Sequence, residues 1–205
     1  MPTELLIIRH GKTAWNIEGR LQGSQDIELH PSGVRQAEAL AERLQDETFT
    51  ALYSSDLKRA AQTAERIAQR THHQIRFHRG LRERNFGIFE GMTGAEIEAQ
   101  YPEEWARFRR WDPDLIVPNG DSLRCYYEAA VACVEDLARQ HPDERIVIVT
   151  HGIFISSLLR YTLGIPFSVP SRYKGFNTSI NRFLFDEGVW TLLTLNDTNH
   201  LRDLE

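Results

Sequence analysis

Two short apolar runs, each leading to a His-Gly pair, stand out in the hydrophobic pattern of the chain. The first run covers residues 5–8 and leads to His10, and the second covers residues 146–149 and leads to His151. Both consist of leucine and β-branched residues, which is typical of strands buried in a parallel sheet. Because ligands of open α/β sheets bind beyond the carboxyl ends of the strands, the pattern predicts that the two histidines meet in one site.

Segments with helical spacing alternate with short strands along the chain. In residues 32–44 an apolar stripe recurs every three or four positions, with Ser32 as a candidate N-cap. The predicted helices are residues 32–44, 57–70, 95–111, 121 or 122 to 140, and 153–163. The predicted strands are residues 5–8, 51–53, 74–78 and 146–150, with a closing hairpin of residues 179–185 and 189–195. This order predicts a three-layer α/β/α fold: a mostly parallel mixed sheet with an antiparallel edge and helices on both faces.

The length of the chain favours a single domain over residues 1–205. A chain of this size is long enough for one sizeable core, and no repeat or low-complexity segment divides it. An aromatic-rich insert, residues 95–120, interrupts the alternation of strands and helices. Its aromatic side chains are Tyr101, Trp105, Phe108 and Trp111. We expect this insert to form a helical lid over the strand ends rather than a separate domain.

Composition excludes several function classes. The net charge of −5 argues against general nucleic-acid binding, and no run of about 18 apolar residues predicts a membrane span. The N-terminal residues lack the basic region and cleavage site of a signal peptide. Cys125 and Cys133 fall on one predicted helix, about 12 Å apart along its axis, so they are expected to be reduced, buried thiols. We therefore expect a cytoplasmic protein.

Arg9 and His10 form a pair that suits phosphate chemistry. A neutral imidazole is a nitrogen nucleophile, and an adjacent guanidinium binds phosphoryl oxygens through a planar fork. Gly11 lets a ligand approach the backbone closely. On its own the tripeptide is a weak signal because it occurs easily by chance, so the motifs that accompany it decide its meaning.

Three further motifs accompany this tripeptide in the chain. They lie at residues 54–63, 81–83 and 150–152, and residues 13–23 extend the first motif. In this combination the chain resembles the histidine phosphatase superfamily, which has the phosphoglycerate-mutase-like fold. Within it, the chain is similar to the small cofactor-independent bacterial phosphatases. The match runs from about residue 5 to residue 201.

The resemblance implies a two-step, metal-free phosphoryl transfer. His10 would attack phosphorus and carry a phosphohistidine, and Glu83 would act as general acid and then as general base. The phosphoryl oxygens would be held by Arg9, Arg59 and His151, with further hydrogen bonds from Asn16, Gln22, Gly23 and Gly152. No metal and no cofactor is expected, since neither metal-ligand spacing nor a phosphate-binding P-loop occurs.

Three functions remain open at this level. The favoured one is hydrolysis of a small phosphorylated substrate, by a monomer or a homodimer without nucleic-acid or membrane partners. A phosphoglycerate mutase would use the same residues but resembles longer chains, with an insertion that keeps water from the phosphohistidine, and Gln22 fits the phosphatase pattern better. A non-catalytic phosphate-binding protein is the third.

Some of the residues in these motifs also have a structural interpretation. His151 could be a buried structural histidine, and Glu83, flanked by Arg82 and Arg84, could belong to an exposed salt-bridged loop. Asn16 and Gln22 could brace the first loop.

One position departs from the family, which usually has Glu or Gln where this chain has Lys12. The sequence does not assign a role to Lys12 or to the insert residues Trp105, Arg107, Phe108, Arg109 and Arg110.

Overall fold

The computed structural model describes residues 2–170 and 173–204, and within them six strands form one mixed sheet. The strands are β1 (Thr3–Arg9), β2 (Ala51–Ser54), β3 (Ile75–Phe77), β4 (Arg145–Thr150), β5 (Ile180–Asp186) and β6 (Val189–Asp197). Their order across the sheet is β3-β2-β4-β1-β5-β6. The first four strands run parallel, whereas β5 is antiparallel to β1 and forms a hairpin with β6. The predicted mixed sheet with an antiparallel edge is confirmed.

Helices cover both faces of this sheet, as the sequence predicts. They are α1 (Ala14–Glu18), α2 (Pro31–Leu44), α3 (Lys58–Thr71), α4 (Gly94–Gln100), α5 (Pro102–Arg109), α6 (Leu123–Arg139) and α7 (Gly152–Thr162). Short 3-10 turns occur at Arg79–Leu81, Gly87–Phe89 and Asn199–Leu204. Leu5 and Ile7 of β1 pack in a core with α6 and α7, whereas Leu6 and Ile8 pack in a second core with α2 and α3. Successive side chains of a strand point to opposite faces, so one fully apolar strand supplies both cores.

The aromatic insert contains two helices, so the single helix predicted over residues 95–111 is wrong. The break falls at Tyr101, whose backbone leaves the helical region, and Pro102 begins α5. The ring of a proline disfavours the helical conformation in the residue before it, and proline itself is well suited to the first turn of a helix. The sequence pattern retains helical spacing across this break, which is why periodicity alone predicted one element.

The start of two helices also differs from expectation. α1 lies in a segment predicted to be a loop, and a reciprocal capping box between Thr13 and Asn16 stabilises its single turn. The N-cap of α2 is His30 rather than Ser32, because Pro31 occupies the first helical position and the His30 ring accepts a hydrogen bond from the Ser32 amide. Short polar segments of this kind carry too little hydrophobic periodicity to be recognised in advance.

Residues 86–117 build a small apolar cluster of their own. Phe86, Phe89 and Ile97 form its centre together with Leu115 and Val117. The rings of Trp105 and Phe108 stack on each other and pack against this centre, with their centroids 5.4 Å apart. The cluster also contacts Leu21 and Ile153, which connects the insert to the loop after α1 and to the first turn of α7.

Both cysteines lie on α6 and are free, as expected, but only Cys133 is partly buried. Cys125 is exposed, so the expectation of two buried thiols is wrong for it. Within residues 2–170 and 173–204, no helix combines the length and apolar character that crossing a bilayer requires.

A glycine substitution tests how tightly the insert packs against the loop before it. Gly87 has φ +56°, and a Cβ placed there would overlap the carbonyl oxygen of Pro118. Gly164 has φ +62°, but a Cβ there meets nothing within 4 Å. We expect Gly164→Ala to lower the free energy of unfolding by about 1 kcal/mol, from backbone strain alone, and Gly87→Ala to lower it by about 3 kcal/mol, because a clash is added. Urea unfolding measures both values, and equal losses would contradict the close contact.

Candidate active site

The carboxyl ends of β1 and β4 lie side by side, which places the two His-Gly motifs next to each other. Arg9, the last residue of β1, pairs with Thr150, the last residue of β4. The rings of His10 and His151 follow directly, with their centroids 5.2 Å apart. Both side chains are buried. The site is therefore built on the ends of two rigid neighbouring strands.

His10 has a fixed tautomer. Its Nδ1 lies 2.8 Å from the carbonyl oxygen of Gly11, and a carbonyl only accepts, so Nδ1 carries the proton. The lone pair on Nε2 is consequently available for attack. Burial, reinforced by the charges of Arg59 and Arg9, lowers the pKa of His10 well below its ordinary value. The ring is therefore neutral at physiological pH, with Nε2 unprotonated.

His151 is anchored from the opposite side of the site. Its Nε2 lies 2.8 Å from the hydroxyl of Ser55, which follows β2. Its Nδ1 is buried and has no hydrogen-bond partner among the described residues. Burial, together with the charge of Arg59, lowers the pKa of His151 well below its ordinary value. A neutral ring held in this way offers one nitrogen to a ligand.

Two arginines supply the positive charge of the site. Arg59 lies in the first turn of α3, is fully buried, and donates to the carbonyl oxygens of Gly23 at 2.7 Å and Gln25 at 2.6 Å. Arg9 donates to the carbonyl oxygen of Gly175 at 2.7 Å. The Nε of each guanidinium is buried without a partner among the described residues. Burial lowers the pKa of Arg59 to about 10, so it stays cationic at neutral pH.

Backbone amides hold the Glu83 carboxylate, and the side chains of the two flanking arginines do not contact it. Its carboxylate accepts from the amides of Arg84 at 3.0 Å and Ile153 at 3.1 Å. Arg82 instead pairs with Asp56, and Arg84 donates to the backbone of Asp121. Burial raises the pKa of Glu83 above its ordinary value. This effect is larger than the opposite effect of the two amides, whose hydrogen bonds lower the pKa. The structure therefore does not show the exposed salt-bridged loop that was the alternative for this residue.

The remaining predicted residues surround the two histidines. The side-chain oxygen of Asn16 accepts a hydrogen bond from the Thr13 amide in the cap of α1. Asn16 therefore braces the first loop, which was the structural alternative for this residue. The side-chain oxygen of Gln22 is buried without a partner among the described residues. Gly23, at φ +54°, turns its carbonyl toward Arg59. Gly152 begins α7, and a Cβ there would lie 3.6 Å from Nε of Arg9 and 3.8 Å from Oε2 of Glu83.

These side chains enclose a cavity of about 270 Å³. The predicted residues that line it are Arg9, His10, Asn16, Gln22, Gly23, Arg59, Glu83 and Gly152. His151 is not among the described residues that line the cavity, but its ring contacts that of His10 at a tilted angle of 57°. Sequence reasoning missed an apolar wall that includes Phe86, Ile155 and Tyr173. No motif marks these positions, because only the tertiary structure brings their separate segments to one cavity.

The insert contributes one aromatic side chain to this cavity. Trp111 lines it, and the buried guanidinium of Arg160 lies 4.8 Å from the centre of the Trp111 ring. The cationic residues of the insert turn elsewhere: Arg107 pairs with Asp112 at 2.7 Å, and Arg109 lies 3.8 Å from Glu98. Neither these two nor Arg110 is among the described residues that line the cavity.

Glu90 is a further residue that the sequence did not single out. Its carboxylate accepts from the amide of Ser24 at 2.7 Å and from the amide of Phe86 at 3.0 Å. It therefore ties the loop that carries Gln22 and Gly23 to the base of the insert. Across residues 2–170 and 173–204, no group of three or more His, Cys, Asp and Glu side chains is arranged to hold a metal ion.

Comparison with known proteins identifies the family. The model of the histidine phosphatase superfamily (branch 1) matches residues 5–198. The chain belongs to the histidine phosphatase superfamily. It is 38% identical to phosphoglycerate mutase-like protein 4 of Arabidopsis thaliana, covering 98% of this chain and 87% of the relative. It is 34% identical to the metal-independent phosphoserine phosphatase of the same plant, covering 97% and 83%.

A solved structure agrees with this assignment. A mutant phosphoserine phosphatase from Entamoeba histolytica, in complex with phosphoserine, superposes with a TM-score of 0.88 and 32% identity, covering 97% of this chain and 99% of that one. The predicted family and fold are thus confirmed. The superfamily and its phosphatase relatives make the protein a phosphoric monoester hydrolase, and they fit that function better than a mutase.

The buried neutral histidines make stability depend on pH in a defined direction. A histidine with a lowered folded pKa binds its proton more weakly when folded, so acidification below about 6.5 favours unfolding. We expect His10 to account for about 1 kcal/mol of lost unfolding free energy between pH 6.5 and 5.5. Glu83 acts in the opposite direction, because its raised pKa favours the folded protein as the pH falls.

His10→Gln isolates this contribution, since Glu83 titrates in both proteins. Urea unfolding at the two pH values should show a loss that is smaller by about 1 kcal/mol in the variant than in the wild type. An identical pH dependence in the two proteins would show that His10 is not held neutral by the fold.

Proposed function

We propose that this protein hydrolyses small phosphomonoesters without a metal ion, through a phosphohistidine on His10. One observation carries the proposal: the His10 ring, with its Nε2 lone pair free, lines the same cavity as Arg9 and Arg59, whose Nε atoms are buried and have no partner among the described residues. Such a site presents a nucleophile and positive charge to the same ligand. A phosphate group supplies both the electrophile and the missing negative charge.

In the first step Nε2 of His10 forms a bond to phosphorus while the bond from phosphorus to the ester oxygen breaks. Glu83, whose pKa is raised by burial, gives its proton to the departing alkoxide. Nδ1 keeps its proton, which the Gly11 carbonyl accepts in a hydrogen bond. The phosphorylated ring is therefore positively charged, and the nitrogen is a good leaving group.

In the second step water replaces the alcohol. The Glu83 carboxylate takes a proton from the water, whose oxygen bonds to phosphorus as the bond to Nε2 breaks. This returns both residues to their starting states and releases inorganic phosphate. Throughout, Arg9, Arg59 and His151 hold the equatorial oxygens, because phosphoryl transfer depends mainly on positioning and charge stabilisation.

The shape of the cavity supports a small substrate. About 270 Å³ suffices for a phosphate group with a short organic part, and the apolar wall with Trp111 contacts that part. The phosphoserine bound in the Entamoeba histolytica enzyme is a ligand of this size class.

We further propose that residues 1–205 act as one domain in which the insert, residues 95–120, serves as the lid. A cytoplasmic location and a monomeric or dimeric state stay predictions, the former supported by the free thiols.

Replacement of the nucleophile tests the proposal. We expect His10→Ala to lower phosphate release from phosphomonoesters at least about a thousandfold, because no other group forms the covalent intermediate. In the wild type, rapid quenching with a labelled substrate should trap a phosphorylated protein that is stable to alkali and labile to acid, and this species should be absent in the variant.

His72→Ala is the matched control, since His72 is exposed at the end of α3 and should leave turnover unchanged. The assay includes 3-phosphoglycerate and 2-phosphoglycerate, so that interconversion without phosphate release would reveal a mutase instead. Undiminished turnover in His10→Ala would refute the assignment of the nucleophile.

The role of Glu83 is tested by varying the leaving group. We expect Glu83→Gln to lower kcat/KM about a hundredfold for alkyl phosphates but less than about tenfold for p-nitrophenyl phosphate, whose leaving group needs little protonation. The ratio kcat/KM reports the steps up to release of the alcohol. Glu98→Gln, on the exposed face of α4, serves as a control. Equal losses for both esters would show that Glu83 is not the acid.

A further inference from the structure

A second pocket, of about 520 Å³, adjoins the catalytic cavity through a shared wall. Arg9, Asn16 and Gly175 line both spaces. Two hydrogen bonds strengthen this wall: Arg9 donates to the Gly175 carbonyl at 2.7 Å, and the Asn177 amide donates to the Asn16 side-chain oxygen at 3.2 Å. A ligand in the second pocket therefore contacts side chains that also border the reacting phosphate.

Positive charge is concentrated in this second pocket. Lys12, Lys174 and Arg202 line it, and no carboxylate is among the described residues that do so. None of these three cations forms an ion pair with a described residue, whereas most other arginines of the chain have a carboxylate partner. The whole chain carries a net charge of −5 and contains three lysines, two of which lie here. An acidic protein thus keeps one pocket cationic and unneutralised.

The backbone at Lys12 is fixed in place. Its amide donates to the Gln36 side chain at 3.0 Å, and its carbonyl accepts from the His30 amide at 2.9 Å. Gly33 packs so closely that a Cβ there would overlap the Lys12 carbonyl oxygen. The backbone of Lys12 is therefore fixed two residues after His10.

We infer that this cationic pocket, formed by Lys12, Lys174 and Arg202, binds a phosphate or carboxylate group while the catalytic cavity holds its own phosphate. The group belongs either to the substrate itself, as a second anionic end, or to a separate small anion. The inference rests on the proposed function, which assigns the first phosphate to the catalytic cavity. The unpaired charges and the absence of a lining carboxylate provide the attraction for an anion in either case.

Counting bound phosphate tests the inference directly. Equilibrium dialysis of the wild-type protein against labelled inorganic phosphate at low ionic strength should give two equivalents. The double variant Lys12→Gln/Lys174→Gln should bind the second equivalent about 25-fold more weakly, at about fivefold for each lysine. Lys58→Gln is the matched control, because Lys58 is the third lysine and pairs with Glu28 on the surface; it should retain both equivalents.

A pair of synthetic esters identifies the source of the anion. In one, hexane-1,6-diol carries phosphate at both ends, and in the other at one end only. If the substrate supplies the second anion, the double variant should lower kcat/KM about tenfold for the bisphosphate and leave it unchanged for the monophosphate. If a separate anion binds, the ratio of the two esters should be the same in both proteins while the second equivalent of phosphate is still lost.

Failure of this inference is distinguishable from failure of the proposed function. A single equivalent of phosphate in the wild type, or two equivalents retained by the double variant, would overturn the cationic pocket and leave hydrolysis at His10 untouched. Absence of phosphate release from every ester would instead overturn the proposed function.

Discussion

The burial of the Arg59 guanidinium is the constraint on which the site depends. A fully buried cation is costly unless its donors are satisfied, and here two carbonyls of the loop after α1 accept from it while no described carboxylate pairs with it. This arrangement fixes the loop at Gly23 and Gln25, and it leaves a net positive charge in the cavity. That charge is what the proposed function uses to bind the phosphate group of the substrate.

The same burial separates the protonation states of the two reacting groups. Arg59 and Arg9 add to the desolvation of His10 and keep it neutral, as a nucleophile requires. Glu83 is desolvated as well, but for a carboxyl group this favours the protonated form, which a general acid requires. One low-dielectric cavity thus lowers the pKa of the histidine and raises the pKa of the carboxyl group, because burial penalises the charge of each.

Several contacts that support the site involve residues that no sequence motif marks. Glu90 ties the loop of Gln22 to the base of the insert, and Arg160 places its guanidinium beside Trp111. Neither residue carries a motif, and both are ordinary charged side chains in the sequence. Their roles come from neighbours that belong to distant segments, and the apolar wall of the cavity arises in the same way.

The sequence by itself determined the layers, the mostly parallel sheet and the family, because hydrophobic periodicity is a local signal and four separate motifs occur together. It also predicted that His10 and His151 meet, since strand ends in a parallel sheet share one edge, and the family resemblance implied the other residues of the site. The tertiary structure alone decided that the insert breaks at Pro102, that Cys125 is exposed, and that Lys12 faces a second pocket rather than the first. These outcomes depend on packing between segments far apart in the chain, which no local pattern records.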